Sequence, residues 1–200
     1  MDITREKTAL LVIDMQNGFT EPGGSMAKIG LPYQELRAAI PGCRKLVDAA
    51  RKAGVPVIYT RYVFHPGYVD GGILPNHIVP AMKEVGSLAA GTWDAEIIDE
   101  LAPAEGELVI DKSRPSSFYG TRLEPILNSL GIRSLVICGV TTNICVETTA
   151  RDAGQRDYYT HVISDATAEF DKDRHEHALT GVGFLFGWVN TVDDVLRAWA

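Results

Sequence analysis

The chain has 200 residues, of which 46% are apolar and 22% charged, and a formal net charge of −7. That length supports one sizeable core, and residues 1–200 read as a single domain. The acidic balance and the lack of any Lys/Arg cluster argue against nucleic acid or an anionic membrane as partner, and no apolar run is long enough to span a membrane. Three widely spaced cysteines, Cys43, Cys138 and Cys145, suit a reducing compartment, and the charged start MDITREK lacks a signal-peptide core, so the expected location is the cytoplasm.

Residues 8–14, TALLVID, form an apolar, β-branched run that predicts a buried strand ending in an acid. Residues 15–28 are rich in Gly, Pro and polar side chains and predict a loop. Helical spacing over 41–53 ends at Gly54, and VPVIY at 55–59 predicts a second strand with Pro56 at its start. The stretch 61–90 is irregular and long for a loop, which suggests a wall or lid over a site. A short helix is predicted over 95–101, a third strand over 107–111 and a helix over 122–130 closed by Gly131.

The run 135–138, LVIC, predicts a strand buried on both faces that breaks at Gly139. A helix follows, with Ile144, Val146 and Ala150 among polar residues and Gly154 as its stop. Cys145 falls near the first turn of this helix, where the field of the unpaired N–H groups favours a thiolate. Strands over 161–165 and 188–190 flank a helix over 173–184, and Thr191 with Asp194 opens a last helix in capping-box style. Strands alternate with helices, so the fold class is α/β: a three-layer α/β/α sandwich around a mostly parallel six-stranded sheet.

In such sheets ligands bind beyond the carboxyl ends of the strands. Asp14, Lys112 and Cys145 each stand at such an end. A carboxylate, an ammonium and a thiol that meet there can run nucleophilic catalysis: Lys112 steadies the thiolate, while Asp14 takes the thiol proton and returns it to a leaving group. Each residue also has a plainer reading. Asp14 could be a turn or cap residue, Lys112 a solvated cation, and Cys145 a core residue, as Cys43 and Cys138 are read to be.

Five segments in order carry a resemblance: LLVIDMQNGF at 10–19, GTWDAEI at 91–97, DKSRPSSFYGT at 111–121, GVTTNICVETTARDA at 139–153 and SDATA at 164–168. With these the chain resembles the isochorismatase-like cysteine hydrolases over nearly its whole length. The resemblance implies an isochorismatase-like, Rossmann-like hydrolase fold and an Asp14–Lys112–Cys145 triad. It also implies a cis peptide joining Val140 to Thr141, an oxyanion hole made by the N–H groups of Thr141 and Cys145, and pocket walls from Phe19, Trp93 and Tyr119. For these three the alternative is core packing. A homo-oligomer, dimer or tetramer, is implied as well.

Departures from family patterns narrow the class. Nicotinamidases carry an Asp and two His after the second strand as metal ligands; TRYVFHPGYVDGG at 60–72 offers only His65, and His77 lies well beyond. His175 and His177 are two apart and share no helix face. No metal and no cofactor are therefore expected. Vinyl-ether-cleaving isochorismatases lack the cysteine, so Cys145 points to a carbonyl. The expected activity is cleavage of a C–N bond in a small amide or ureido compound through a thioester, with 60–72 and 91–97 most like the biuret and N-carbamoyl hydrolase branch. The alternatives are another hydrolase reaction on the same scaffold, or a non-catalytic small-molecule binder. A thiol-redox protein lacks a resolving cysteine, and a dinucleotide-binding role lacks a GxGxxG after the first strand.

Overall fold

The computed structural model describes residues 3–200. Six strands form one sheet: β1 (Thr8–Ile13), β2 (Val57–Tyr62), β3 (Leu108–Lys112), β4 (Ser134–Val140), β5 (Tyr159–Ala168) and β6 (Trp188–Asn190), in the order β3-β2-β1-β4-β5-β6. Every neighbouring pair is parallel. Every residue of β1 and β4 is buried, as the continuous apolar runs require of strands covered on both faces.

The longer helices are α1 (Ile40–Ala53), α2 (Leu123–Ser129), α3 (Glu147–Gly154), α4 (Lys172–Leu185) and α5 (Val192–Trp199). α1 packs against α5 and the central strands, and α3 packs against α4 and β5. The chain winds outward from β1 to β3, then returns to the other side of β1 and winds outward again to β6. Crossovers of one hand then place helices on opposite faces. The strand order reverses between β1 and β4, which makes their carboxyl ends the crevice where ligands of such sheets bind.

Gly139 allows that crevice to be narrow. Its φ is +112°, and a Cβ there would stand 2.0 Å from the Ile13 carbonyl oxygen. The same residue marks a register shift between β4 and β5. The predicted break at Gly139 is thus a kink inside β4, not its end.

Several expectations are corrected. β2 occupies Val57–Tyr62 and not 55–59, because Val55 N–H closes onto the Ala50 carbonyl at the end of α1 and the Pro56 carbonyl receives Leu10 N–H. The helix expected over 95–101 is two single 3-10 turns, Trp93–Ala95 and Asp99–Leu101. Between them the chain is extended and pairs with the segment after β1: Glu96 O accepts from Asn17 N–H, and Ile98 N–H donates to Met15 O. The expected loop at 15–28 contains single-turn helices Asn17–Thr20 and Ser25–Lys28.

Gly154 is not a left-handed stop. It lies inside the last turn of α3, and a Cβ there would come within 2.4 Å of the Phe186 carbonyl oxygen, so close approach of α3 to the end of α4 calls for it. The left-handed glycine does appear after α1, where Gly54 has φ +71°. α5 opens on the expected reciprocal Thr191–Asp194 cap. The 61–90 stretch is a packed wall: Phe64 and Leu88 are fully buried, and the Phe64 ring lies tilted between those of Tyr62 and Tyr68, with centroids at 5.1 and 5.4 Å.

Candidate active site

Asp14 directly follows β1, at the register where Ile13 pairs with Thr60 and Gly139. Its φ of +51° turns the chain out of the sheet, a conformation that Asp tolerates better than most residues. The carboxylate is fully buried and fully used. Oδ1 accepts from Thr60 Oγ1 at 2.7 Å, and Oδ2 accepts from Lys112 Nζ at 2.6 Å. Lys112 ends β3, two strands away from β1. Its ammonium also donates to the Arg114 carbonyl at 3.2 Å and lies 4.4 Å from the centre of the Tyr62 ring.

Burial, the largest influence, disfavours the charged form of Lys112, but Asp14 and Cys145 together outweigh it, and the ammonium is held above its ordinary range. A buried pair of this kind needs every remaining hydrogen bond filled to be tolerated. Thr60 and the Arg114 carbonyl do that here, and neither stands out in the sequence. Thr60 could have been noticed as a hydroxyl inside an otherwise buried apolar strand.

The third group arrives from β4. Val140–Thr141 is a cis peptide, and a π-helical turn, Thr142–Val146, leads into α3. Cys145 sits in that turn, almost wholly buried, and Lys112 and Asp14 are the charged groups that act on its thiol. Burial opposes the thiolate expected from a helix start. Burial drives the thiol well above its ordinary value, Lys112 pulls it down, and Asp14 pushes it back up. A helix terminus contributes only about 0.3–1 kcal/mol, too little to offset removal of a charge from water. Burial thus works against the charge on this sulfur, and Lys112 works for it. Cys43 and Cys138 are buried elsewhere in the core, and Cys43 Sγ donates to the Ala166 carbonyl.

The turn is anchored from outside. His175 Nδ1 pairs with Thr142 Oγ1 at 2.8 Å, and Glu169 accepts from Asn143 N–H at 3.1 Å. His177 turns to the Asp173 carbonyl instead. Among the described residues no three His, Cys, Asp or Glu side chains converge as metal ligands would.

A cavity of about 220 Å³ opens over Cys145. Thr141, Ile144 and Cys145 form its floor with Tyr62, and Phe19 stands in its wall. Trp93 and Tyr119 do not line it. Trp93 is turned outward to a separate surface cleft because Asp94, its neighbour, is turned in: Asp94 Oδ1 accepts from Ser25 N–H and Oδ2 from Leu88 N–H. Tyr119 is exposed beside His65 and Arg114, following the inward Ser117 and Phe118.

Two residues invisible to the triad argument hold the walls. Asp94 joins the 15–28 and 61–90 segments. Gln16, fully buried, uses its carboxamide like a strand: Nε2 donates to the Tyr62 and Ala95 carbonyls, and Oε1 accepts from Tyr62 N–H.

A parallel α/β sheet with an acid, an ammonium and a thiol gathered at its switch point defines a hydrolase-type site. The isochorismatase domain model matches residues 8–194, and the chain belongs to the isochorismatase family of hydrolases. It is 38% identical to the ureidoacrylate amidohydrolase RutB of Azorhizobium caulinodans, over 100% of this chain and 93% of that one. It is also 38% identical to the RutB of Agrobacterium fabrum, over 94% and 88%. Among solved structures, a cysteine hydrolase from Pseudomonas syringae pv. phaseolicola superposes with a TM-score of 0.90 at 31% identity, over 100% and 95% of the two chains. The N-carbamoylsarcosine amidase of Thermoplasma acidophilum does so at 0.73 and 31%, over 93% and 96%.

Proposed function

We propose that the protein is a cysteine-dependent amidohydrolase that cleaves a C–N bond of a small ureido or amide compound through a thioester. The observation that carries this reading is the wholly buried Asp14–Lys112 pair interacting with the one cysteine that faces a cavity. Relatives named for ureidoacrylate and N-carbamoylsarcosine support the ureido class.

Asp14 takes the Cys145 proton as substrate displaces water, and Lys112 keeps the developing thiolate paired. The sulfur forms a bond to the carbonyl carbon, and the N–H groups of Thr141 and Cys145 receive the oxyanion. The C–N bond then breaks, and the proton held on Asp14 leaves with ammonia or the amine. Water, deprotonated by Asp14, splits the thioester and returns the thiol. A carbamoyl substrate yields a carbamic acid, and an amide yields the free acid.

A homo-oligomer, dimer or tetramer, belongs to this reading. Phe184 and Leu185 are 86% and 73% exposed and lie in one cleft with Trp188 and Tyr159, a surface of the kind that subunits cover. The function is tested by ammonia release from biuret, ureidoacrylate, N-carbamoyl amino acids, nicotinamide and simple amides. Turnover of ureido compounds that vanishes in a folded Cys145→Ala variant is expected; a variant that keeps most of its activity would refute the scheme.

A further inference from the structure

The π-helical turn that carries Cys145 cannot hold itself. It is five residues long, too short to persist by its own bonds. Its first N–H groups lack partners within the turn, as at any helix start. Thr141, at the capping position, makes no side-chain cap bond. What Thr141 supplies is its carbonyl, which accepts from Ile144 N–H at 3.2 Å and Val146 N–H at 3.1 Å.

The holding groups come from the segment after β5 and from the first turn of α4. Glu169, 5% exposed, accepts from Asn143 N–H on Oε2 and from Phe170 N–H at 2.9 Å on Oε1. That pairing fills backbone groups that any fold must fill. The bond between Thr142 Oγ1 and His175 Nδ1 is of another kind. It joins two side chains 33 residues apart, and an apolar pair would serve packing there as well. Thr142 is 1% exposed, so water does not compete for its hydroxyl. The imidazole leaves a fixed helix start: Asp171 accepts from Arg174 N–H, and His175 N–H closes onto the Asp171 carbonyl. His175 is absent from the lining of the cavity over Cys145.

Resting on the amidohydrolase reading above, we infer that His175 is a positioning residue: by holding Thr142 it fixes the turn so that the Cys145 sulfur stands in line with the carbonyl carbon of bound substrate. It touches neither the cavity nor the Asp14–Lys112 pair and acts through Thr142 alone. A nucleophile misplaced by about 1 Å loses up to about a hundredfold in rate, so a single bond far from the chemistry is felt in kcat. Substrate binding, which the cavity walls provide, is not its task.

The test is steady-state ammonia release by the full-length enzyme on the best substrate of the panel above, with amide hydrogen exchange over residues 141–147 measured alongside. His175→Leu is expected to lower kcat about ten- to hundredfold and to leave KM within about twofold. His175→Asn carries its amide on the same carbon that bears Nδ1 in histidine, so it should recover most of the lost rate. His175→Gln, with its amide one carbon farther out, should not. In a Thr142→Val background His175→Leu should change nothing more, because the bond is already gone. Exchange over 141–147 should quicken about five- to tenfold in His175→Leu while β1 and β4 keep their protection. If His175→Leu fails to fold, Thr142→Val and Thr142→Ser carry the test: the first should lose the rate and the second keep it. Unchanged kcat, a rise in KM alone, rescue by Gln but not Asn, or a full effect of His175→Leu on top of Thr142→Val would overturn the inference and leave the amidohydrolase reading intact. Quickened exchange over 141–147 with no hydrolysis of any ureide or amide by the unmodified enzyme would uphold the hold on the turn and sink that reading instead.

Discussion

The chemistry of the site turns on three side chains whose states depend on one another. Lys112 and Asp14 are both removed from water, so each is tolerable only because the other is charged. Lys112→Met leaves a buried carboxylate without its cation. It should abolish turnover and cost about 3–5 kcal/mol in urea unfolding. A variant with unchanged stability would show that the pair is not closed to solvent. A second buried titrating group sits away from the site. His161 Nδ1 donates to Asn190 Oδ1 at 2.9 Å, tying β5 to β6, while Trp188 stacks on the ring. Burial holds its pKa below the ordinary 6.5 despite that bond. Above pH 6.5 the group adds nothing to the pH dependence. As pH falls from 6.5 toward the native pKa, the unfolded chain binds the proton first, so stability falls through that window. An NMR titration should place the His161 ring below 6.5, and the decline in melting temperature over that window should shrink in His161→Gln. A ring titrating above 6.5 would contradict this account.

At the scale of elements, the site is a product of parallel strands and of the segments that follow them. The alternation of strands and helices was enough to predict that Asp14, Lys112 and Cys145 stand at one edge, because only that edge carries the ends of β1, β3 and β4. Their depth was not readable, since it depends on which segments cover the edge. Trp93 misled for a related reason. Its direction is set by Asp94, which bridges nearby Leu88 to Ser25, a residue from a distant stretch that spacing alone cannot bring to it. The expected helix over 95–101 failed likewise, because pairing with residues 15–17 replaced its internal bonds. Asp94 is therefore an element-level brace. Asp94→Ala leaves two buried N–H groups unfilled and should cost about 2–4 kcal/mol. It should also raise KM more than it lowers kcat, because both joined segments supply cavity walls. Unaltered KM in a destabilised variant would separate the brace from the pocket.

The whole molecule follows from patterning: two fully buried strands at the centre, shorter and more exposed ones at the edges, and helices on both faces. Among the described residues no helix is long and apolar enough to cross a membrane. Light scattering should return an integral multiple of 21.8 kDa, and Phe184→Asp with Leu185→Asp should lower that multiple if their cleft is the shared surface. A native mass of one chain would remove the oligomer from the account. The account as a whole rests on a covalent bond to one sulfur. Rapid acid quench during turnover of biuret or ureidoacrylate, followed by peptide mass mapping, measures that bond directly. The prediction is an acyl or carbamoyl increment on the peptide that carries Cys145, absent from the Cys145→Ala protein. An increment on any other residue, or ammonia release by the Cys145→Ala protein at the normal rate, would contradict it.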